Sequence, residues 1–138
     1  MQLFTRDKKR AVQSFILSLV NNNCPELAAL TEGPRLESRV NLTLPVLVLP
    51  VEDGRPVVGK AFSAVSKEFS TTGVAVVLDG PVGLDEAIIG FRVERETTFI
   101  RATVKHLTPM GGGFFHLGFQ MDEVVHVGDF PELENLCL

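Results

Sequence analysis

From residue 40 onward, apolar and polar residues alternate with the period of two that a half-buried β-strand requires. The run from Val40 to Val48 shows the alternation first, and the run from Phe99 to Leu107 repeats it. Between them, the valine-rich run Val74–Leu78 is typical of a buried strand. Turn residues such as Asp53-Gly54 separate the runs. The predicted strands are residues 40–48, 57–65, 74–78, 87–94, 99–107 and 114–121.

About six short antiparallel strands joined by tight turns favour a small closed barrel, because closure removes the exposed edges of an open sheet. The fold class predicted is therefore mainly all-β. We divide the chain into a helical N-terminal extension (1–32), a barrel domain (33–125) and a C-terminal tail (126–138). Pro131 lies where this tail can form a short helical turn.

The N-terminal extension carries helical spacing instead. We predict a helix over residues 7–21, with Asp7 as N-cap. A second short helix is predicted from Pro25 to Leu30, with Gly33 just past its end. The apolar stripe predicted for the first helix comprises Ala11, Phe15, Ile16, Leu19 and Val20.

Charge is divided unevenly along the 138 residues, whose net charge is −4. Residues 1–39 hold six Lys and Arg against four Asp and Glu, whereas residues 40–138 hold seven against thirteen. Duplex binding depends on phosphate neutralisation, so an acidic body argues against a nucleic-acid partner. We expect a small anion at the basic segment that contains Arg35 and Arg39.

Two observations bear on location. The sequence lacks a run approaching ~18 consecutive apolar residues, so we expect no membrane span. Its two cysteines, Cys24 and Cys137, lie near opposite ends, and a reduced pair in the cytoplasm is the preferred interpretation over a disulfide.

Two short motifs carry the chemistry. Arg35 and Arg39 lie four residues apart just before a strand, and each guanidinium offers a planar fork of donors for phosphate oxygens and purine edges. Downstream, Glu68-x-Ser70-x-x-Gly73 combines a carboxylate, a hydroxyl and a glycine that allows close backbone approach. The chain therefore offers groups for an anionic, planar ligand.

Together the motifs resemble those of the PilZ family, R-x-x-x-R followed by D/N-x-S-x-x-G, over roughly residues 33–125. The resemblance implies a six-stranded barrel that binds cyclic di-GMP. It also implies that Arg35 and Arg39 clamp phosphate and guanine edges, that Glu68 and Ser70 contact guanine, and that Gly73 keeps the turn tight. Ligand binding would then move the N-terminal helices, which would signal to a downstream protein that the sequence does not identify.

Glu68 departs from this pattern, because the family has Asp or Asn at its position. The longer side chain could still accept hydrogen bonds from guanine, or it could pair with Arg39 and occlude the site. An alternative function therefore stays open, in which a PilZ-like domain has lost nucleotide binding and acts as a protein-interaction adaptor.

Other motifs do not indicate an enzyme, a cofactor or a metal. Gly54–Lys60 matches G-x-x-x-x-G-K, but Ala61 replaces the Mg²⁺-binding Ser or Thr and predicted strands flank the motif. His106, His116 and His126 are spaced by ten and fall in different predicted elements, without the close ligand pair of most metal sites. We predict no catalytic and no metal-binding residues.

Overall fold

The computed structural model describes residues 2–23, 39–93, 95–134 and 136. The predicted helix at Pro25–Leu30, the predicted site residue Arg35 and both cysteines lie outside these residues. Within them, the chain forms one α-helix, α1 (Gln2–Asn23), and a set of antiparallel strands. The strands are β1 (Val40–Asn41), β2 (Pro45–Glu52), β3 (Arg55–Pro56), β4 (Phe62–Phe69), β5 (Gly73–Leu78), β6 (Glu86–Val93), β7 (Glu96–Gly111) and β8 (Phe114–Val125).

Six of these strands close into a barrel in the order β4-β5-β8-β7-β6-β2. Closure occurs at β2, which pairs along one edge with β4, for example Val46 with Ala64, and along the other with β6, for example Val48 with Ile89. Since every strand of the ring has two neighbours, the backbone groups that an open sheet would expose are paired. The predicted mainly-β, six-stranded closed barrel is confirmed.

The first predicted strand, 40–48, is interrupted. Residues 42–44, between β1 and β2, leave the regular ladder with β4. Two backbone hydrogen bonds to β4 remain, and the buried hydroxyl of Ser66 bonds to the other two groups of this segment. Its Oγ donates to the carbonyl of Leu42 at 2.6 Å and accepts from the N–H of Leu44 at 2.8 Å. The prediction of one continuous strand was wrong because it took no account of a polar side chain that bonds from across the sheet.

The second predicted strand, 57–65, was also wrong at both ends. A 3₁₀ turn occupies Val58–Lys60, closed by hydrogen bonds from the N–H groups of Lys60 and Ala61. Strand β4 begins only at Phe62 and continues to Phe69. As a consequence, Glu68 lies on a strand rather than in a turn.

The predicted turns are largely confirmed. Asp53 and Gly54 have φ of 54° and 77°, as a two-residue hairpin turn requires, and they join β2 to β3. The last turn is shorter than predicted, because β7 continues through Pro109 to Gly111 before the glycines reverse the chain into β8.

Helix α1 packs against β8 and contributes to the barrel core. It begins before Asp7, which is therefore not its N-cap. Its buried face holds Val12, Ile16, Leu19 and Val20, whereas Ala11 is exposed. The predicted apolar stripe was therefore wrong at its first residue, because Val12 is buried there instead of Ala11. Among the described residues, no helix combines the length and apolar character needed to cross a bilayer.

The C-terminal segment covers the outer face of β2, β6 and β7. A 3₁₀ turn that begins at Pro131 occupies Pro131–Leu133, and Leu133 is buried against Leu49, Ile88 and Phe99. Arg55 holds this segment in place with two hydrogen bonds to Glu132, of 2.6 and 3.1 Å. The site described below lies on β4, β5, β8 and the C-terminal half of β7.

We expect Ser66→Ala to lower the free energy of unfolding by about 1–3 kcal/mol, because it leaves the N–H of Leu44 and the carbonyl of Leu42 without their partner. Urea unfolding measures the change. Ser63→Ala, at an exposed position of the same strand, is the matched control and should shift the midpoint little. Equal effects of the two substitutions would contradict the role given to Ser66.

Candidate functional site

A shallow cleft lies on the outer surface of the barrel, across four neighbouring strands. One row of paired residues forms its middle: Glu68 of β4 pairs with Ala75 of β5, Ala75 with Gly118 of β8, and Gly118 with His106 of β7. The two central residues carry a methyl group and no side chain, while the outer two are large. The result is a trough of about 230 Å³ that runs between Glu68 and His106, whose ring lies over Gly118.

Two β-bulges turn these walls outward. In β4 the register shifts between Ser66 and Glu68, so that Lys67 is the extra residue. In β7 it shifts between Val104 and His106, so that Lys105 is the extra residue. If the strands alternated strictly, Glu68 would lie on the same inward face of the sheet as Ser66, and His106 on the same face as Val104. Because an extra residue reverses the alternation, both side chains point to the surface.

Four of the five predicted site residues line this cleft, namely Arg39, Glu68, Ser70 and Gly73. The structure therefore brings together the second arginine of the first motif and the three named residues of the second. Ligand binding by these residues stays a prediction.

Arg39 and Glu68 form an ion pair, with Nη1 2.7 Å from Oε1. Strand β1 fixes their proximity, because Asn41 pairs with Glu68 in β4 and Arg39 precedes β1 by one residue. The arginine side chain is 67% exposed. Exposed pairs of this kind contribute only about 0–1 kcal/mol, so an incoming anion can displace the carboxylate at small cost.

The Ser70–Gly73 turn closes on itself. The N–H of Gly73 donates to Oγ of Ser70 at 3.1 Å, and the N–H of Ser70 donates to the carbonyl of Gly73 at 3.0 Å. A Cβ at residue 73 would lie 2.8 Å from Oγ of Ser70 and 3.2 Å from the carbonyl oxygen of Phe119. Glycine is therefore required by close packing. The hydroxyl oxygen of Ser70 thus accepts a hydrogen bond within the turn, and its O–H is available to donate to a ligand.

A pair of histidines in the cleft was not predicted. Nε2 of His106 lies 3.2 Å from Nδ1 of His116, and the two rings are parallel within 7°. Nε2 of His116 in turn lies 3.6 Å from Oε1 of Glu68, which favours a proton on that nitrogen. His116 then accepts from the Nε2–H of His106. Arg39, Glu68, His116 and His106 form one continuous polar chain along the cleft.

A signal for this pair was present in the sequence. The glycine triplet 111–113 lies midway between His106 and His116, so a hairpin reversing there brings the two residues close together. The bulge at Lys105, which has no sequence marker, decides that they share a face. The described residues contain no group of three or more side chains suited to a metal ion.

Burial lowers the pKa of His116 below its usual value of 6.5. Repulsion by His106 and Lys67 acts in the same direction, while Glu68 opposes both. The folded cleft therefore favours a neutral imidazole at residue 116 near neutral pH.

Comparisons with known proteins leave the family open. No family model matches the chain, and no curated protein matches it. Among solved structures, the Bacillus subtilis inhibitor of motility (MotI/DgrA) is similar, with 20% sequence identity and a TM-score of 0.49. The match covers 69% of this chain and 45% of that one, so the chain spans less than half the length of that structure. A likeness at this level supports no conclusion about family or function.

The lowered pKa of His116 predicts how stability depends on pH. When pH falls below about 6.5, the unfolded chain takes up a proton that the folded cleft resists, so folding should weaken from there down to the folded-state pKa. Urea unfolding at pH 7.5 and 5.5 should show this loss. His116→Gln should reduce it, whereas His126→Gln, at an exposed site outside the cleft, should not. An identical pH dependence in both variants would contradict the assignment.

Proposed function

We propose that this chain is a non-enzymatic receptor of PilZ type for cyclic di-GMP, and that the messenger binds in the cleft between Arg39 and His106. One observation carries the proposal. Arg39 and Glu68, 29 positions apart and belonging to separate motifs, converge with Ser70 and Gly73 on a single cleft. The proposal also assigns Arg35 to the ligand on the basis of the motif.

The chemistry of the cleft suits a phosphate attached to a purine. The exposed guanidinium of Arg39 can exchange the carboxylate of Glu68 for a phosphate oxygen, since the ion pair contributes little. The freed carboxylate is then an acceptor for the N1–H and N2–H donors of guanine. The hydroxyl of Ser70 still has its O–H to donate.

Strand β8 offers a route from ligand to output. It carries His116, Gly118 and Gln120 in the cleft, and α1 packs against the same strand. An ion pair of 3.0 Å between Lys8 and Glu123 joins the helix to β8. We propose that ligand binding repositions α1 through this shared strand, and that the new position of α1 is what a downstream protein recognises.

The ion pair between Arg39 and Glu68 favours a second candidate function. If Glu68 holds Arg39 permanently, the cleft is closed to nucleotides by the chain's own carboxylate. The domain would then be an adaptor that binds protein partners without the messenger. The two functions make opposite predictions for Glu68.

We expect calorimetric titration with cyclic di-GMP to give micromolar affinity, about −8 kcal/mol, and GTP, the control, to bind much more weakly. Arg39→Ala should weaken binding roughly 30-fold or more, because removal of a desolvated charged partner costs ~2–5 kcal/mol. Arg55→Ala is the matched control, since Arg55 is also exposed and paired with a glutamate but does not line the cleft. Absence of heat at millimolar ligand would exclude the receptor function.

The two candidate functions predict opposite effects of a Glu68 substitution on cyclic di-GMP binding. In the receptor, Glu68→Ala should weaken cyclic di-GMP binding because guanine loses its acceptor, and Glu68→Asp should preserve or tighten it. In the adaptor, Glu68→Ala should create or strengthen binding, because it frees Arg39. The same titration measures both variants.

A further inference from the structure

The two histidines of the cleft form one flat surface. Their ring centroids are 5.2 Å apart, their planes differ by 7°, and one nitrogen of each ring faces the other at 3.2 Å. An imidazole N–H lies in the plane of its ring, so a hydrogen bond between parallel rings sets them side by side rather than one above the other. Their joint width exceeds that of a single aromatic side chain.

Gly118 supports this surface from below. A Cβ at residue 118 would lie 2.6 and 2.8 Å from the two ring nitrogens of His106, and closer still to the carbon between them. Near-equal distances to three adjacent ring atoms place the glycine under the face of the ring, not beside its edge. The opposite face of His106 points away from the sheet, and His106 is exposed.

We propose that the His106–His116 pair is the platform on which one purine base of the nucleotide stacks. This inference rests on the proposed function and adds to it a binding element outside both sequence motifs. Bases stack readily on histidine rings, and a wide flat surface suits a bicyclic base better than a single imidazole does. Arg39 and Lys105, which line the same cleft, are the cations available to the attached phosphate.

The size of the cleft limits what the platform can hold. Its 230 Å³ falls below the ~300–1,000 Å³ of pockets that enclose drug-sized ligands. One base and its phosphate can be accommodated there, while the second half of a cyclic dinucleotide would extend beyond the trough. The pair is not suited to a metal ion, since three of its four ring nitrogens already face one another or Glu68 and the described residues offer no group of three possible ligands.

Stacking can be separated from a merely structural role by the choice of substitution. His106→Ala removes the ring and should weaken cyclic di-GMP binding roughly 5- to 150-fold, the range for loss of a base-stacking side chain. His106→Phe keeps a flat ring but not the hydrogen bond to His116, and should bind within about threefold of the unsubstituted protein. Gly118→Ala should displace the ring and weaken binding as His106→Ala does, with Gly128→Ala, where a Cβ meets nothing, as its control.

The unsubstituted protein provides direct readouts. It has three histidines, so imidazole NMR signals of His106 and His116 should shift with ligand while that of His126 stays fixed. It has no Trp and no Tyr, so the near-ultraviolet absorbance of guanine is seen against little protein background, and hypochromism on binding reports stacking. Both measurements use the full chain.

The outcomes distinguish the platform from the proposed function. If cyclic di-GMP binds but the His106 and His116 signals do not move, or His106→Phe is as weak as His106→Ala, the platform is wrong and the receptor function stands. If cyclic di-GMP does not bind, the receptor function fails, and guanosine 5′-monophosphate at millimolar concentration tests the platform alone. Shifts confined to His106 and His116 would then support it, and their absence would overturn it.

Discussion

Strand β2 is the element on which the rest of the molecule depends, because it pairs with β4 along one edge and β6 along the other. Without either pairing the barrel would be an open sheet with two exposed edges. Closure also creates the enclosed interior that α1 helps to fill, with Val12, Ile16 and Leu19 fully buried. The bulges at Lys67 and Lys105 lie outside the residues through which β2 pairs with β4 and β6, so they do not disturb closure.

The bulges link this architecture to the site. Each inserts one lysine, Lys67 or Lys105, and each reverses the face on which the following residue lies. Regular strands would direct Glu68 and His106 inward, where a carboxylate and an imidazole would be costly without partners. The same local irregularity therefore avoids a buried charge and creates a polar cleft.

Much of the fold was predictable from the sequence, because strand periodicity and turn residues are local properties. Val74–Leu78 and the Asp53-Gly54 hairpin were predicted closely for that reason. The break between β1 and β2 was not, since it depends on the hydroxyl of Ser66, 22 positions from Leu44. The start of the buried face of α1 was misplaced because helical spacing alone does not decide between Ala11 and Val12.

The candidate site was likewise predictable only in part from the sequence. Arg39, Glu68, Ser70 and Gly73 were found as motif residues, and their convergence follows from β1 pairing with β4. The histidine pair was missed because its geometry depends on the register of β7 against β8 and on a bulge that leaves no mark in the sequence.

One wall of the trough depends on a side chain that is missing, because the ring of His106 lies in the space that a Cβ at residue 118 would occupy. A site of this kind is easily lost during divergence, because one added carbon at residue 118 would displace the ring of His106 while every motif residue stayed in place. Two homologous chains with identical Arg and Ser-x-x-Gly motifs could thus differ completely in ligand binding. Whether such a chain binds the ligand therefore depends on residue 118, in the middle of β8, as much as on the two motifs.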